Sequence, residues 1–409
     1  MIDTNSANLQ NRKILISGAG AAGQTLAYWL RQHGFTPVVV ERAPEPRAGG
    51  FAIDIRGAAV FVAKQMGILE DCREVSVRMR EIVRVNREGG HVWKTDGNFG
   101  AGDGVAGDVE ILRDDLTHII QQKLCEGIEY RFGDSITAIA QDESGVAVTF
   151  RNGDPERFDL VIGADGLHSN VRALAFGPEE KFAKPLGYYI AIFTIDNFMD
   201  LEQQWHMCYL PGKMANIMQY GLDKHTRAMF LFASPPLDYD RGNADEQKAL
   251  INQAFLDDNY WVVPQLLEQL QAANDLYFDE VTQIHMPGWS NGRVALTGDA
   301  ACAPTAITGQ GTSLALVGSY VLAGELKAAG GNYKVAFERC NSKLQDFVKE
   351  NQDLAFTCEE LAIPDTWEDL YSKEELFSNI QEDEDEEPDE RSAAYLFQKA
   401  ANAITLDTY

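Results

Sequence analysis

The chain opens with an apolar run, Lys13–Ser17 (KILIS), followed by a glycine, a helical stretch over 21–33 and a second apolar run, Thr36–Glu41 (TPVVVE). Short apolar runs on either side of a helix-period segment predict a β-α-β unit whose strands are buried on both faces. Helical spacing returns at 57–67 and 113–124, and 82–95 between them reads as a hairpin turning at Glu88-Gly89-Gly90. Short strands alternate from 128 to 162. Residues 185–234 then mix strand-like alternation with many aromatic and methionine side chains, among them Tyr188, Trp205, Met207 and Phe230. That pattern predicts an antiparallel sheet with one face covering a cavity or another unit. A helical region at 245–271, a strand at 276–286, a buried strand at 293–297 and a long helix at 311–329 follow. Beyond Tyr333 the pattern is helical, apart from an acidic loop at 382–390.

Composition narrows this picture. The 409 residues exceed one ordinary core, so two or three units are expected. With 45% hydrophobic and 24% charged residues the balance is that of a globular protein. No apolar run reaches the roughly 18 residues that cross a bilayer, and the first twelve residues lack the basic start and apolar core of a secretory signal. A cytoplasmic protein with no membrane partner is expected. Six scattered cysteines form neither a disulfide framework nor a zinc pattern, and no metal is expected. The net charge of −27 argues against nucleic acid as a partner, and anionic ligands require locally concentrated positive charge.

Gly18-Ala19-Gly20-Ala21-Ala22-Gly23 fits G-x-G-x-x-G and lies where the first strand meets the first helix. The first glycine permits the tight turn, the second lets backbone approach a pyrophosphate, and the third lets helix pack on strand. The helix start adds free N–H groups and a partial positive charge. Gly18, Gly20, Ala22 and Gly23 are therefore candidate phosphate contacts. Glu41, ending the second strand, is placed to accept both hydroxyls of an adenosine ribose and disfavours a 2′-phosphate.

Two further segments separate FAD from NAD. Asp159–Arg172 (DLVIGADGLHSNVR) and Arg293–Gly311 (RVALTGDAACAPTAITGQG) each place an acidic residue beside glycine at the end of a buried strand. In the second, Asp299 is set to hold a ribityl hydroxyl. Gly309-Gln310-Gly311 aims a second helix start at a flavin edge that becomes anionic on reduction. A simple dehydrogenase has no use for that second terminus. Non-covalent FAD is the expected cofactor.

These three motifs, in this order, resemble the class A flavoprotein monooxygenases, the group that includes para-hydroxybenzoate hydroxylase. The resemblance covers about 1–330. It implies an α/β (α+β overall) chain with a Rossmann-type FAD-binding domain (1–80, 106–178 and 288–330) interleaved with an antiparallel-sheet substrate domain (81–105 and 179–287). C-terminal helices follow over 331–409. It places Asp165 near the pyrophosphate and the NAD(P)H path, Asp299 on the ribityl chain, and Gly309, Gly311 and Thr312 at the isoalloxazine. Arg42, Arg47 and Arg113 are the candidate cations for FAD, those at 47 and 113 standing where the family keeps arginines.

A closer resemblance lies in Gly49–Gly57 (GGFAIDIRG), Val109–Arg113 (VEILR), Tyr277-Phe278-Asp279, Thr282-Gln283-Ile284 and Thr308–Ala315 (TGQGTSLA). These segments are similar to those of the tetracycline destructases, in which a C-terminal helix bridges the domains and gates the substrate cavity. The chain departs from the broader pattern at Cys302, where histidine or tyrosine is usual, and at the lone Pro304, where the family has two prolines. The resemblance implies NADH or NADPH as co-substrate and transfer of one oxygen atom from O2, by way of a peroxide at flavin C4a, to a polycyclic phenolic or enolic small molecule of tetracycline type. The protein is expected to act as a monomer. No residue is assigned a catalytic role, since the flavin carries the chemistry. Because alternate strand residues share a face, Thr194 with Asp196 and Trp205 with Met207 are candidate walls of the substrate pocket. A hydroxylase of natural products or small aromatics on the same fold, and a flavin- or tetracycline-sequestering protein without catalysis, are the alternatives. A halogenase would carry a W-x-W-x-I-P segment, which Trp261-Val262-Val263-Pro264 does not match. Ser169 and His168 lack the motif of a hydrolase nucleophile.

Overall fold

The computed structural model describes residues 9–45, 50–77, 79–96, 109–220, 226–357, 363–378 and 393–409. Arg47 and the acidic loop 382–390 lie outside them. The apolar runs at the start of the chain form the centre of a six-stranded sheet, ordered Ser290–Asn291, Val294–Leu296, Leu160–Gly163, Lys13–Ser17, Thr36–Glu41 and Glu129–Phe132. All its pairings are parallel except that of the edge strand Ser290–Asn291. Ile14, Leu15, Ile16, Val39, Leu160, Val161 and Ile162 have 0% exposure, as expected of strands covered on both faces. The helices Ala21–Gln32 and Gly311–Ala328 pack side by side against this sheet. Small residues let them approach closely: the Ser319 hydroxyl donates to the Ala22 carbonyl at 2.9 Å. Gly311–Ala328 is apolar all round and almost entirely buried, as a central helix must be.

A seven-stranded sheet forms the second layer, ordered Tyr277–Ile284, Ala183–Ile195, Thr226–Ala233, Lys213–Gln219, Gln204–Leu210, Glu81–Val85 and His91–Asp96. It is antiparallel except where Gln204–Leu210 runs parallel to Glu81–Val85. Residues directly opposite one another share a face, and the register divides this sheet cleanly. Ala191, Phe193, Ala215, Ile217, Ala228 and Phe230 pack under the helices Ala244–Phe255 and Val263–Ala272. The single helical stretch expected at 245–271 is thus two helices, broken where Trp261 adopts φ 46° and Pro264 opens the second. The other face carries Ile190, Ile192, Met214, Leu231, Tyr277 and Met229 and meets Phe51 and Ile307 of the first layer.

Two small sheets complete the frame: Ile136–Asp142, Gly145–Phe150 and Glu156–Phe158 form one, and Ala52–Ile55 with Val109–Leu112 the other. The C-terminal segment touches both layers. Trp367 stacks edge-on to Tyr260 at 5.7 Å and lies under Arg87, in the turn between the strands Glu81–Val85 and His91–Asp96. Ala400, in the helix Ala393–Ala401, accepts a hydrogen bond from Asn351, and Asp407 accepts one from Tyr320. Among the described residues no helix is long and apolar enough to cross a membrane.

Candidate active site at the carboxyl ends of the parallel strands

The glycine motif, the Asp165 segment and the Asp299 segment meet at one edge of the parallel sheet. Gly18 has φ 104°, and a Cβ there would stand 2.4 Å from the Ala164 carbonyl oxygen. A Cβ on Gly23 would stand 1.9 Å from the Gly18 oxygen, so the first and third glycines are demanded by close backbone approach. Gly20 differs: nothing lies within 4 Å of its would-be Cβ, so the start of the first helix opens onto free space. Glu41 Oε2 accepts from the Ala19 amide at 2.8 Å and Oε1 from Ala43 at 2.9 Å. These bonds fix the carboxylate beside the turn and leave lone pairs for further donors. Arg42 follows it, exposed.

Asp165 is used inward. Its oxygens accept from Ser169 Oγ and the Val171 amide, with Ser17 Oγ at 3.4 Å, pinning the turn after the strand Leu160–Gly163. Burial raises its pKa, against these hydrogen bonds. Arg172, with 0% exposure, ties this turn to the next: Nη1 donates to the Ala300 carbonyl at 3.0 Å and Nη2 to Glu179 at 2.7 Å. Asp299 opens the short helix Asp299–Cys302, and Gly298 before it lies against Ala22 of the first helix: a Cβ on Gly298 would stand 2.8 Å from that of Ala22. Although deep in the molecule, Asp299 is exposed, so it lines an internal cleft. Desolvation by the surrounding chain raises its pKa to about 6, with Arg113 opposing. Gly311 is 3.7 Å from Asp299 Oδ1, measured from its would-be Cβ, and Thr312 begins the helix behind it. Gln310 between them has 0% exposure, and among the described residues neither amide atom has a hydrogen-bond partner. Cys302 is buried with its thiol 3.7 Å from the Gly298 carbonyl, and burial raises its pKa. It packs the loop.

The seven-stranded sheet faces this cleft. Phe51 meets Tyr277 at 5.6 Å between ring centroids, and the Arg113 guanidinium lies 5.5 Å over Phe51. Asp279 and Asp299 both raise the pKa of Tyr277 after desolvation, which places that tyrosine between the layers. By register, Trp205, Met207 and Tyr209 share this face with Met218, Asn216 and Met214, and with Arg84 and Arg227. Trp205 Nε1 donates to Asn216 at 3.3 Å, and Arg84 lies 4.2 Å over the Tyr209 ring. Trp205 and Met207 are thus brought together on the cleft face. Thr194 stands at its margin, its hydroxyl and amide both donating to Asp275. Asp196 is exposed beyond the end of its strand, its amide held by Gln269.

Other residues at the layer boundary lie in or near segments noted in the sequence but are given no role there. His168 lies between Glu179 (Nδ1, 2.8 Å) and Asp279 (Nε2, 2.9 Å), so it clasps the Asp165 segment to the strand Tyr277–Ile284. Burial lowers its pKa, but the two carboxylates outweigh that and bring it to about 9. Asp54 and Glu110 face each other across the ribbon Ala52–Ile55/Val109–Leu112. The signal for that ribbon was present, as alternation of aliphatic and acidic residues in AIDI and VEIL; what it lacked was the pairing partner, some 56 residues away.

An extended dinucleotide carrying a tricyclic ring fits these residues. The open space at Gly20, the exposed carboxylate of Asp299 deep in the cleft and the orphaned buried amide of Gln310 are three polar or vacant positions along one edge, with Glu41 at one end and Gly309–Gly311 at the other. Among the described residues no group of three or more His, Cys, Asp or Glu is arranged to hold a metal.

Comparison with known proteins agrees. A family model described as an FAD binding domain matches residues 11–330. A flavin-dependent monooxygenase of Legionella longbeachae is 37% identical over 407 residues, covering 98% of this chain and 99% of that protein. An uncharacterised protein of Mycobacterium tuberculosis, Rv1260, is 43% identical over 344 residues, 83% of this chain and 92% of that one. The crystal structure of tetracycline destructase Tet(51) superposes with a TM-score of 0.83 at 34% identity, covering 98% of this chain and 100% of that chain. With a family model over most of its length and relatives matched end to end, the chain belongs to the FAD-dependent monooxygenases of class A.

Proposed function

We propose that this protein consumes NADPH or NADH to insert one oxygen atom from O2 into a polycyclic phenolic or enolic small molecule of tetracycline type. The reaction space is the cleft between the Gly309–Gly311 turn and the face of the seven-stranded sheet. The observation that carries this reading is the make-up of that face. Trp205, Met207, Tyr209, Met214 and Met229 offer a broad, adaptable apolar floor, and Arg84 and Arg227, at 3% and 6% exposure, set two buried cations into it. Methionine and aromatic surface suits a flat multi-ring skeleton. Buried guanidinium groups favour the anionic form of an enol or phenol, which is the electron-rich form.

FAD, when bound, supplies the electron transfer from nicotinamide to oxygen. The chain's contribution is placement and exclusion of water. The first helix start and Gly20 are assigned the pyrophosphate, with Arg42, Arg47 and Arg113 as its cations. Glu41 takes the adenosine ribose and Asp299 the ribityl hydroxyls. The amides of Gly309, Gly311 and Thr312 face the ring edge where negative charge collects. In this assignment residues 1–80, 106–178 and 288–330 hold the cofactor, 81–105 and 179–287 hold the substrate, and the monomer is the working unit. The segments 363–378 and 393–409 pack on the two layers respectively, as a part that spans the cleft would.

The test is incubation of the protein with tetracycline, NADPH and air, followed by mass analysis. A product heavier by one oxygen atom, with tetracycline-dependent NADPH and O2 consumption, is expected. Oxygenation of small phenols in place of tetracyclines would move the assignment to an aromatic hydroxylase. A yellow protein whose flavin never bleaches with NADPH and any ligand would defeat the oxygenase reading.

A further inference from the structure

We propose that Glu110 stores a proton inside the molecule and passes it through Asp54 to an oxygen anion held against the Gly309 turn. Both residues belong to the ribbon Ala52–Ile55/Val109–Leu112, where Asp54 is registered directly opposite Glu110. Opposite residues share a face with Cβ atoms roughly 5 Å apart. The other face of the ribbon is apolar and packed: Ile55 and Ile111 have 0% exposure and Val109 4%. Core packing of that face thus fixes the ribbon so that both carboxyl side chains leave it on the same side, next to each other.

Their surroundings are unequal. Arg56 Nη2 stands 3.1 Å from Asp54 Oδ1, with both side chains at 20% exposure or less. The Arg56 amide is itself fixed at 3.3 Å from Ser313 Oγ of the long helix, and the ring of Phe397 lies 5.5 Å from the guanidinium on its other side. Asp54 thus has the cation, and Glu110 is left as the group that keeps a proton. Burial of the Glu110 carboxyl is the largest influence, the charge of Asp54 acts in the same direction, and Arg56 opposes; together they raise its pKa to about 8. From the substrate-side sheet, Tyr220 closes over the pair. It has 2% exposure, and its own pKa is raised by burial and by Glu110 and Asp54, with Arg227 opposing. The long helix brings the Ser313 hydroxyl to this corner.

Direction comes from the far side of Asp54. Its Oδ2 is 3.0 Å from where a Cβ on Gly309 would be, so one carboxylate oxygen faces Arg56 and the other faces the turn. A second, independent feature marks that turn as a place for a polar ligand group: the adjoining Gln310 amide has 0% exposure and no hydrogen-bond partner among the described residues. The transfer balances simply. The O–H bond of Glu110 breaks as one forms on Asp54, Asp54 releases a proton from Oδ2 to the anionic oxygen, and Glu110 regains its proton from solvent water. The use of this store rests on the oxygenation reading above, but its existence does not.

The experiment is an infrared titration of the flavin-loaded protein without substrate, comparing wild type, Glu110→Gln and Asp54→Asn. A protonated-carboxyl carbonyl band is expected at neutral pH in wild type, vanishing with a midpoint near pH 8. Glu110→Gln removes the band. Asp54→Asn keeps it and moves its midpoint down, by about one pH unit, because the neighbouring negative charge is gone. In turnover, Asp54→Asn lowers the oxygenation rate at least about tenfold and flattens its fall at alkaline pH. Absence of the band at neutral pH, or a band that ignores Asp54→Asn, overturns the proposal. If Glu110→Gln does not fold, the midpoint shift in Asp54→Asn decides alone. If wild type oxygenates nothing, the infrared result still judges the proton store, while the oxygenation reading fails by itself.

Discussion

Asp299 combines depth in the molecule with an exposed carboxylate, and that pairing has a measurable cost. Its pKa in the folded protein is raised to about 6 from an ordinary value of 3.8. Between those two values the folded state holds more protons than the unfolded state. This group's contribution to stability therefore falls as pH rises through that window. The FAD-free Asp299→Asn protein is expected to melt at a higher temperature than FAD-free wild type at pH 7, with the gap closing towards pH about 4. The same variant is expected to bind FAD at least about tenfold more weakly, because an amide is a poorer acceptor for ribityl hydroxyls than a carboxylate. Calorimetry with and without FAD checks both signs. A variant that loses FAD affinity and stability together at pH 7 would show that Asp299 serves packing instead.

At the scale of elements, the His168 clasp is a pH-sensitive join between the layers. Its folded pKa near 9 lies above the unfolded value of 6.5, so its stabilisation is complete below about pH 6.5 and is lost as pH rises through 9. His168→Gln is expected to cost about 2 kcal/mol at pH 6 and much less at pH 10, read by urea titration at the two pH values. A pH-independent cost would mean that the ring acts by shape. This clasp also shows where the sequence stops being readable. The strand Lys13–Ser17, the helix Ala21–Gln32 and the helix Arg113–Leu124 were legible because each declares itself within a dozen residues by period and by flanking glycine or charge. His168 and Asp279 sit in segments that the sequence singles out, but their joint role with Glu179 is not declared locally, since it depends on a strand 111 residues away from the histidine. Thr194 and Asp196 illustrate the same limit on a single strand. Alternation assigns them to one face, but it does not say that the strand ends at Ile195, leaving Asp196 exposed.

For the molecule as a whole, the charge of −27 opposes the approach of an anionic dinucleotide until the ligand reaches the local arginines. Raising salt from about 0.01 M to about 0.15 M shortens the Debye length from roughly 30 Å to roughly 8 Å and screens this repulsion. FAD uptake by the cofactor-free protein is expected to accelerate over that range, followed by quenching of flavin fluorescence in a stopped-flow instrument. Slowing with salt would indicate that the arginines near the cleft dominate the long-range field. The glycine motif could be placed from sequence because its geometry is local. Its closing wall could not: Gly298 and Ser319 press against Ala22 from nearly three hundred residues downstream.

That late contact sets a schedule for biosynthesis. A nascent chain emerging from the ribosome has its first helix and its glycine turn early, but the surface on which they rest is among the later parts to be made. Until then the apolar flank of Ala21–Gln32 has no permanent cover, and chaperones have their longest opportunity to hold it. Flavin capture belongs to the end of synthesis, so ribosome-stalled chains shorter than about three hundred residues should not retain the yellow cofactor.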